Sequence, residues 1–182
     1  MNILILNGSP RPNGNTHVVL EEMKKQLESS HTVTLLNVCR MKLSGCVACD
    51  SCKRNGGHCV CPDESDALIQ QVAAADALIY GTPVYWWGMS AQLKMAVDKL
   101  YSLSAEAQKK VRKLGVVAVG ASGTEDIQYR LIHDQFACIA DHLNWEQAFY
   151  LPLSAWAPGE ISNDQEAMAQ VTEAVEKLQE HR

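Results

Sequence analysis

Short apolar runs alternate with stretches of helical periodicity along this chain. Ile3-Leu4-Ile5-Leu6 is continuous and apolar, as a strand covered on both faces must be. Leu20, Met23 and Leu27 then recur at helical spacing. Thr32 to Leu36 reads as a second strand. Asp63 to Ala74 reads as a helix carrying Leu68, Ile69 and Val72, and Ala77 to Tyr80 as a third strand. Leu93, Ala96, Val97 and Leu100 stripe another helix. Leu114 to Val119 is the fourth strand, and Ile127, Leu131, Ile139 and Leu143 mark a long helix. Ala148 to Leu151 is a fifth, weaker strand. Ser162 and Gln165 have the spacing of a capping box, ahead of a last helix with Met168, Val171, Val175 and Leu178.

Five strands alternating with five helices predict an α/β chain: one parallel sheet with helices on both faces. No repeat, linker or low-complexity segment interrupts it, so residues 1–182 read as one domain. In such sheets ligands bind at the carboxyl ends of the strands, where the winding direction switches. The loops after strands one, three and four are therefore the places to look for chemistry.

Composition narrows the field. A hydrophobic content of 47% supports a real core, and a net charge of −5 gives no electrostatic grip on nucleic acid or anionic lipid. No apolar run reaches the ~20 residues of a membrane span. The first residues lack the basic region and cleavage site of a signal peptide, so a reducing cytoplasm is the expected compartment. Seven cysteines in such a compartment argue for metal or redox use over a disulfide framework.

The first loop, Asn7-Gly8-Ser9-Pro10-Arg11-Pro12-Asn13-Gly14-Asn15-Thr16, leaves a buried strand and enters a helix N-terminus. Free amides and the helix dipole there favour an anion. Ser9, Asn15 and Thr16 add donors and Arg11 adds charge. The lysine of a nucleotide-hydrolysing P-loop is missing, and so is G-x-G-x-x-G, which favours a monophosphate. The second loop, Gly81 to Ser90, bunches Tyr85, Trp86 and Trp87 where the sheet ends. Wet aromatic surface of that kind suits a flat ring ligand, with backbone groups near Pro83 to Trp86 meeting the ring's polar edge. For Trp87, packing on the subunit or at an oligomer interface is an equal reading. The third loop, Gly120-Ala121-Ser122-Gly123-Thr124, has small residues that let the same ligand lie close to backbone.

Residues 39–62 form a cysteine-rich loop. Cys46, Cys49 and Cys52 are spaced two apart, Cys59 follows after six residues, and Cys61-Pro62 lies just beyond. The spacing resembles the C-x2-C-x2-C run that carries iron–sulfur clusters. Zinc and unligated redox-active thiols are the competing readings. Cys39 and Cys138 read as small buried hydrophobes. Of six histidines, His58 beside Cys59 is placed to hydrogen-bond the thiolates from behind.

Taken together, strand-GSPRPNGNT-helix, then TPVYWWGMSAQLK, then a small-residue loop resembles the flavodoxin-like NAD(P)H-dependent FMN reductases over nearly the whole chain. The cysteine loop resembles that of the iron–sulfur flavoproteins within the same superfamily. The resemblance implies a three-layer sandwich with strand order 2-1-3-4-5. It implies that Ser9, Arg11, Asn15 and Thr16 hold the FMN phosphate. It further implies that Pro83, Val84, Tyr85, Trp86 and Gly88 border the isoalloxazine, with Ala121, Ser122 and Gly123 closing its other side. Cys46, Cys49, Cys52 and Cys59 are the implied ligands of a [4Fe-4S] cluster, with Cys61 a rival for the fourth position.

With the redox chemistry in the flavin, no catalytic side chain is implied. The expected activity is an oxidoreductase passing electrons from NAD(P)H to a small acceptor such as a quinone or free flavin. An electron carrier serving a protein partner such as ferredoxin is the alternative. The family implies a homodimer or homotetramer.

Overall fold

The computed structural model describes residues 1–180. Five strands form its sheet: β1 (Asn2–Asn7), β2 (Thr32–Asn37), β3 (Ala77–Pro83), β4 (Lys113–Gly120) and β5 (Glu146–Ser154). They lie in the order β2-β1-β3-β4-β5, and every neighbouring pair is parallel, as expected. Six helices connect them: α1 (Asn15–Leu27), α2 (Ser65–Ala74), α3 (Ala91–Asp98), α4 (Ala105–Lys110), α5 (Ile127–Leu143) and α6 (Gln165–Gln179).

Alternation along each strand divides the core in two. Leu4, Leu6, Leu78, Tyr80, Leu114 and Val116 point to one face, where Leu68 and Ile69 of α2, Leu93 of α3 and Phe136 of α5 cover them. Ile3, Ile5, Ile79, Val117 and Val119 point to the other, under Leu20 and Met23 of α1 and Val171 and Val175 of α6. This is why the central strands read as continuous apolar runs: no face is left for polar residues.

Several elements depart from the expected pattern. The last helix is capped by Asp164, whose Oδ1 accepts from the Glu166 and Ala167 amides, both at 3.0 Å. Ser162 lies instead in a 3-10 turn, Glu160–Asn163. Asp164 prevails because a carboxylate two residues before Glu166 reaches two free amides at once. Helix α4 was not expected; Ala-Glu-Ala-Gln-Lys-Lys has too few apolar positions to show a stripe, and Ser104 caps it. Helix α3 stops at Asp98, and Leu100 belongs to a 3-10 turn, Lys99–Ser102. Cys138 is exposed, contrary to expectation, because α5 turns Ile132, Phe136 and Ala140 inward and Cys138 outward. Cys39 is half-buried, and burial pushes its thiol up to about 11.

The switch point lies between β1 and β3, whose following loops are bound tightly together. Gly8 N donates to the Gly81 carbonyl at 2.8 Å. Ser90, fully buried, donates from Oγ to the Gly8 carbonyl at 2.6 Å and accepts from Leu93 N at 3.2 Å. Its own amide donates to Thr82 Oγ1 at 2.9 Å. The packing needs a glycine: a Cβ on Gly8 would stand 2.7 Å from Leu93 Cβ. Replacing Ser90 with Ala removes the cap of α3 and leaves the Gly8 carbonyl buried without its donor. Urea unfolding should show a loss of about 1–3 kcal/mol, with an unchanged m-value.

Candidate functional site

The first loop folds into a cradle at the N-terminus of α1. Asn7 Oδ1 accepts from Ser9 N at 2.9 Å, and Ser9 Oγ accepts from Arg11 N at 3.3 Å. These bonds curl the chain so that Gly14 becomes the N-cap of α1 with no side-chain cap. A Cβ on Gly14 would fill the cradle, 3.0 Å from Arg11 Cβ and 3.2 Å from Ser9 Oγ. The first-turn amides at Asn15, Thr16 and His17 have no acceptor within the helix, and no acidic residue sits in that turn. Ser9 and Thr16 are buried at its edge and Arg11 is exposed. Together these groups suit a phosphate. Asn15 is engaged elsewhere: its Nδ2 donates to the Ala157 carbonyl at 2.9 Å, and its Oδ1 accepts from Ile161 N at 3.3 Å. It ties the loop after β5 to the cradle.

After β3 the chain makes a two-residue hairpin. Tyr85 N donates to Gly88 O at 2.9 Å, and Gly88 N to Tyr85 O at 3.1 Å. The two residues at its tip, Trp86 and Trp87, have φ of +48° and +60°. Such turns favour Asn-Gly, because left-handed backbone strains any residue with a Cβ. Strained backbone of this kind concentrates at functional sites. Trp86 is 91% exposed and Trp87 52%, so Trp86 in particular has little packing within the subunit to repay the strain. Pro83 and Val84 lie half-buried behind them. Val84 N donates to Val119 O at 2.8 Å, which joins this loop to the end of β4. Beyond β4, Ala121, Ser122 and Gly123 are exposed, and the Tyr129 hydroxyl donates to Ser122 O at 3.0 Å, steadying that loop. The cradle, the hairpin and the small-residue loop thus share one open shelf along the carboxyl edge of the sheet.

The cysteine loop joins β2 to α2. Its base is stitched shut: Asp63 Oδ2 accepts from Ser44 N and Oγ, and the Glu64 and Lys42 backbones bond at 2.9 Å. Although desolvation works against it, hydrogen bonding from Ser44 and Ser65 holds the Asp63 carboxyl well below the usual range. Between these stitches Cys46, Cys49, Cys52, Cys59 and Cys61 line one cavity of about 30 Å³ together with Lys99 and Tyr101. The left-handed residues Ala48 and Asp50, at φ +52° and +57°, wind the first three cysteines toward it. Among the described residues, no three His, Cys, Asp or Glu side chains converge closely enough to hold a single metal ion. The soft donor set nevertheless fits an iron–sulfur centre, which needs thiolates around a volume.

The thiols differ in environment. Hydrogen bonding from Ser51 pulls Cys49 down, while burial pushes Cys59 up with Lys99 opposing. His58 turns to Asp66 at 3.2 Å and not to a thiol; Asp66 in turn accepts from Cys59 N at 3.0 Å.

Several residues at these sites carry no motif. The floor of the cysteine cavity is the 3-10 turn Lys99–Ser102, about 40 residues along the chain. Tyr101 donates from its hydroxyl to Asp50 Oδ1 at 2.8 Å. Lys53 Nζ donates to the Tyr101 carbonyl and lies 4.0 Å from its ring centroid. Trp156, 81% exposed just after β5, adds another aromatic to the carboxyl edge. Clustering of exposed aromatics at strand ends was the available signal for Trp156; nothing local marked Lys99 or Tyr101. Larger openings lie away from the shelf. A groove of about 830 Å³ runs between α3 and α5, lined by Met89, Leu100, Leu131 and Ile139, and one of about 960 Å³ lies at the amino ends of the strands.

Comparison with known proteins agrees with this geometry. The family model described as NADPH-dependent FMN reductase matches residues 1–144. An iron–sulfur flavoprotein of Methanocaldococcus jannaschii is 34% identical over 139 residues, covering 75% of this chain and 72% of its own. One of Methanosarcina thermophila is 29% identical over 185 residues, covering 98% and 93%. In fold, the chain is similar to an NAD(P)H:quinone oxidoreductase from Methanothermobacter marburgensis, with a TM-score of 0.77 at 19% identity, over 100% of this chain and 98% of that one.

The thiol environments set an order of reactivity in the metal-free protein. At pH 8 Cys49 has the larger thiolate fraction and an exposed sulfur, whereas Cys39 stays protonated until about pH 11. Iodoacetamide labelling followed by peptide mass spectrometry should show Cys49 modified at least tenfold faster than Cys39. Raising the pH toward 11 should narrow the gap.

Proposed function

We propose that this chain, which belongs to the NADPH-dependent FMN reductase family, passes electrons from NAD(P)H through FMN to a small acceptor such as a quinone or free flavin. The observation that carries this is the cradle and strained aromatic hairpin on one edge, each suited to one end of FMN. FMN, when bound, accepts a hydride from a nicotinamide and releases electrons singly or in pairs. The protein's share is binding, orientation and electrostatics. Ser9, Thr16 and the first-turn amides of α1 hold the phosphate, Arg11 adds charge over it, and Asn15 fixes the cradle against the loop after β5. Gly14 leaves the space in which the phosphate sits.

At the other end, Pro83, Val84, Tyr85, Trp86 and Gly88 border the ring, and Ala121, Ser122 and Gly123 face it across β4. The amides of Trp86 and Trp87, at the hairpin tip, have no partner among the described residues. They suit the polar edge of the ring. Trp87 also suits a subunit boundary, in keeping with a homodimer or homotetramer. None of the chemistry asks for a protein nucleophile.

The cysteine loop holds a [4Fe-4S] cluster in this reading, with Cys46, Cys49, Cys52 and Cys59 as ligands. Its support is the set of five thiols around one cavity and the relatives named iron–sulfur flavoproteins. Val47 and Val60 are exposed, so no core contact fixes the loop against adjusting around the cluster. That exposure also supports the second reading, in which the loop meets a protein partner such as ferredoxin and exchanges single electrons with it.

Protein purified without oxygen should show flavin bands, and iron with sulfide in equal amounts. Colourless protein that stays colourless with added FMN would overturn the assignment. Removing the guanidinium in Arg11→Ala costs a charge-assisted bond of about 1.5–3 kcal/mol, so FMN should bind roughly tenfold to hundredfold more weakly by fluorescence titration. Cys59→Ser should lose iron and sulfide, whereas Cys61→Ser should keep them. Fast turnover of NADH or NADPH with quinone alone favours the enzyme; turnover that needs ferredoxin favours the carrier.

A further inference from the structure

Lys99 is 2% exposed, an unusual position for a lysine. It caps the C-terminal end of α3 and begins the 3-10 turn beneath the cysteine loop. Among the described residues its ammonium has one acceptor, Cys61 Sγ at 3.7 Å. No carboxylate pairs with it: Asp98, its neighbour, is held by Lys94 at 2.5 Å. Lys99 also lines the cavity shared by Cys46, Cys49, Cys52, Cys59 and Cys61.

A buried ammonium is costly unless an anion compensates it, and a neutral thiol is a weak acceptor. An anionic sulfur set in that cavity is the compensation this position calls for. The helix dipole of α3 alone does not require burial, because a lysine at a helix end ordinarily keeps its charge in water. The surroundings hold the backbone of this turn in place. Ser102 Oγ donates to the Lys99 carbonyl at 2.8 Å, and the bonds from Tyr101 to Asp50 and from Lys53 to Tyr101 clamp the loop onto the same turn.

We propose that Lys99 is the built-in counter-cation of the cysteine cage: its buried ammonium sets the reduction potential of the metal–thiolate centre held there, and so the direction of electron flow between that centre and FMN. The inference rests on the cysteine loop holding a cluster, and it applies whether Cys59 or Cys61 completes the ligand set. The step in question moves one electron and no proton. Reduced flavin gives up one electron, and the centre takes it up and gains one negative charge. A fixed positive charge beside the centre, itself withdrawn from water, stabilises the more negative, reduced form, so it raises the potential. Lys99 is a positioning residue in this scheme, acting across the cavity wall.

The test uses full-length protein loaded with iron and sulfide without oxygen, in wild-type, Lys99→Met and Lys99→Arg forms. Methionine keeps an unbranched stem in the buried channel and removes the charge; arginine keeps the charge. Iron and sulfide are assayed, and the midpoint is read by potentiometric titration of the low-temperature EPR signal. Lys99→Met with a full complement of iron and sulfide should favour the oxidised form at least tenfold more, a fall of about 59 mV or greater for one electron. Lys99→Arg should stay within half that shift of wild type. Should Lys99→Met fail to retain a cluster while Lys99→Arg retains it at the wild-type potential, the charge requirement is again supported. An unchanged midpoint in loaded Lys99→Met overturns the counter-cation alone. Loss of the cluster from both variants overturns it too, since shape and not charge would then matter. Wild-type protein that takes up no iron and sulfide overturns the cluster reading and this inference together.

Discussion

The buried hydroxyl of Ser90 carries more of this site than any ligand-facing group. It bridges the Gly8 carbonyl and the start of α3, while its amide is held by Thr82. These bonds fasten the loop after β1 to the loop after β3 at the place where the sheet changes its winding direction. The cradle at the start of α1 stands on one side of that fastening and the aromatic hairpin on the other. A ligand spanning the two meets a gap whose width is set by hydrogen bonds inside the core, not by mobile side chains. The absence of a Cβ at Gly8 lets the two loops come this close.

Stability gathered in the core supports strain at the edge. Two tryptophans in left-handed backbone, both exposed, are a poor choice for a hairpin judged by folding alone. The short bonds between Tyr85 and Gly88, and the bond from Val84 to Val119, hold the turn against that strain. Such a turn is preorganised: its unpartnered amides and its rings are arranged before any ligand arrives, so binding pays little for ordering them.

The cysteine loop follows a different plan. Beyond Met41 and Leu43, which pack against the core, its valines are exposed, and it is fixed by polar clasps at its base and by one platform contributed from elsewhere. Ser44, Asp63, Lys42 and Glu64 close the base; Tyr101, Lys53 and Asp50 dock the middle. Lys99, at the end of a helix that otherwise serves the sheet, brings a buried side chain to the wall of the loop's cavity.

The parallel sense of the sheet and both loops of the shelf were legible in the sequence, because each depends on local composition and on period; the strand order came from the family resemblance. Continuous apolar strands announce burial on both faces, and glycine with hydroxyl residues at a strand end announces a cradle. The C-x2-C-x2-C run likewise showed itself as a thiol cage. Other features needed the tertiary structure. Asp164 displaced Ser162 as a cap, and Cys138 turned outward, because side-chain direction depends on a helix phase that sequence marks only loosely. Asn15 was drawn to Ala157 and Ile161 by a loop some 140 residues away. Lys99 and Tyr101 came under the cysteines for the same reason. Local pattern determines which element a residue joins, but a contact between distant segments is decided only when the core packs and fixes where those elements end.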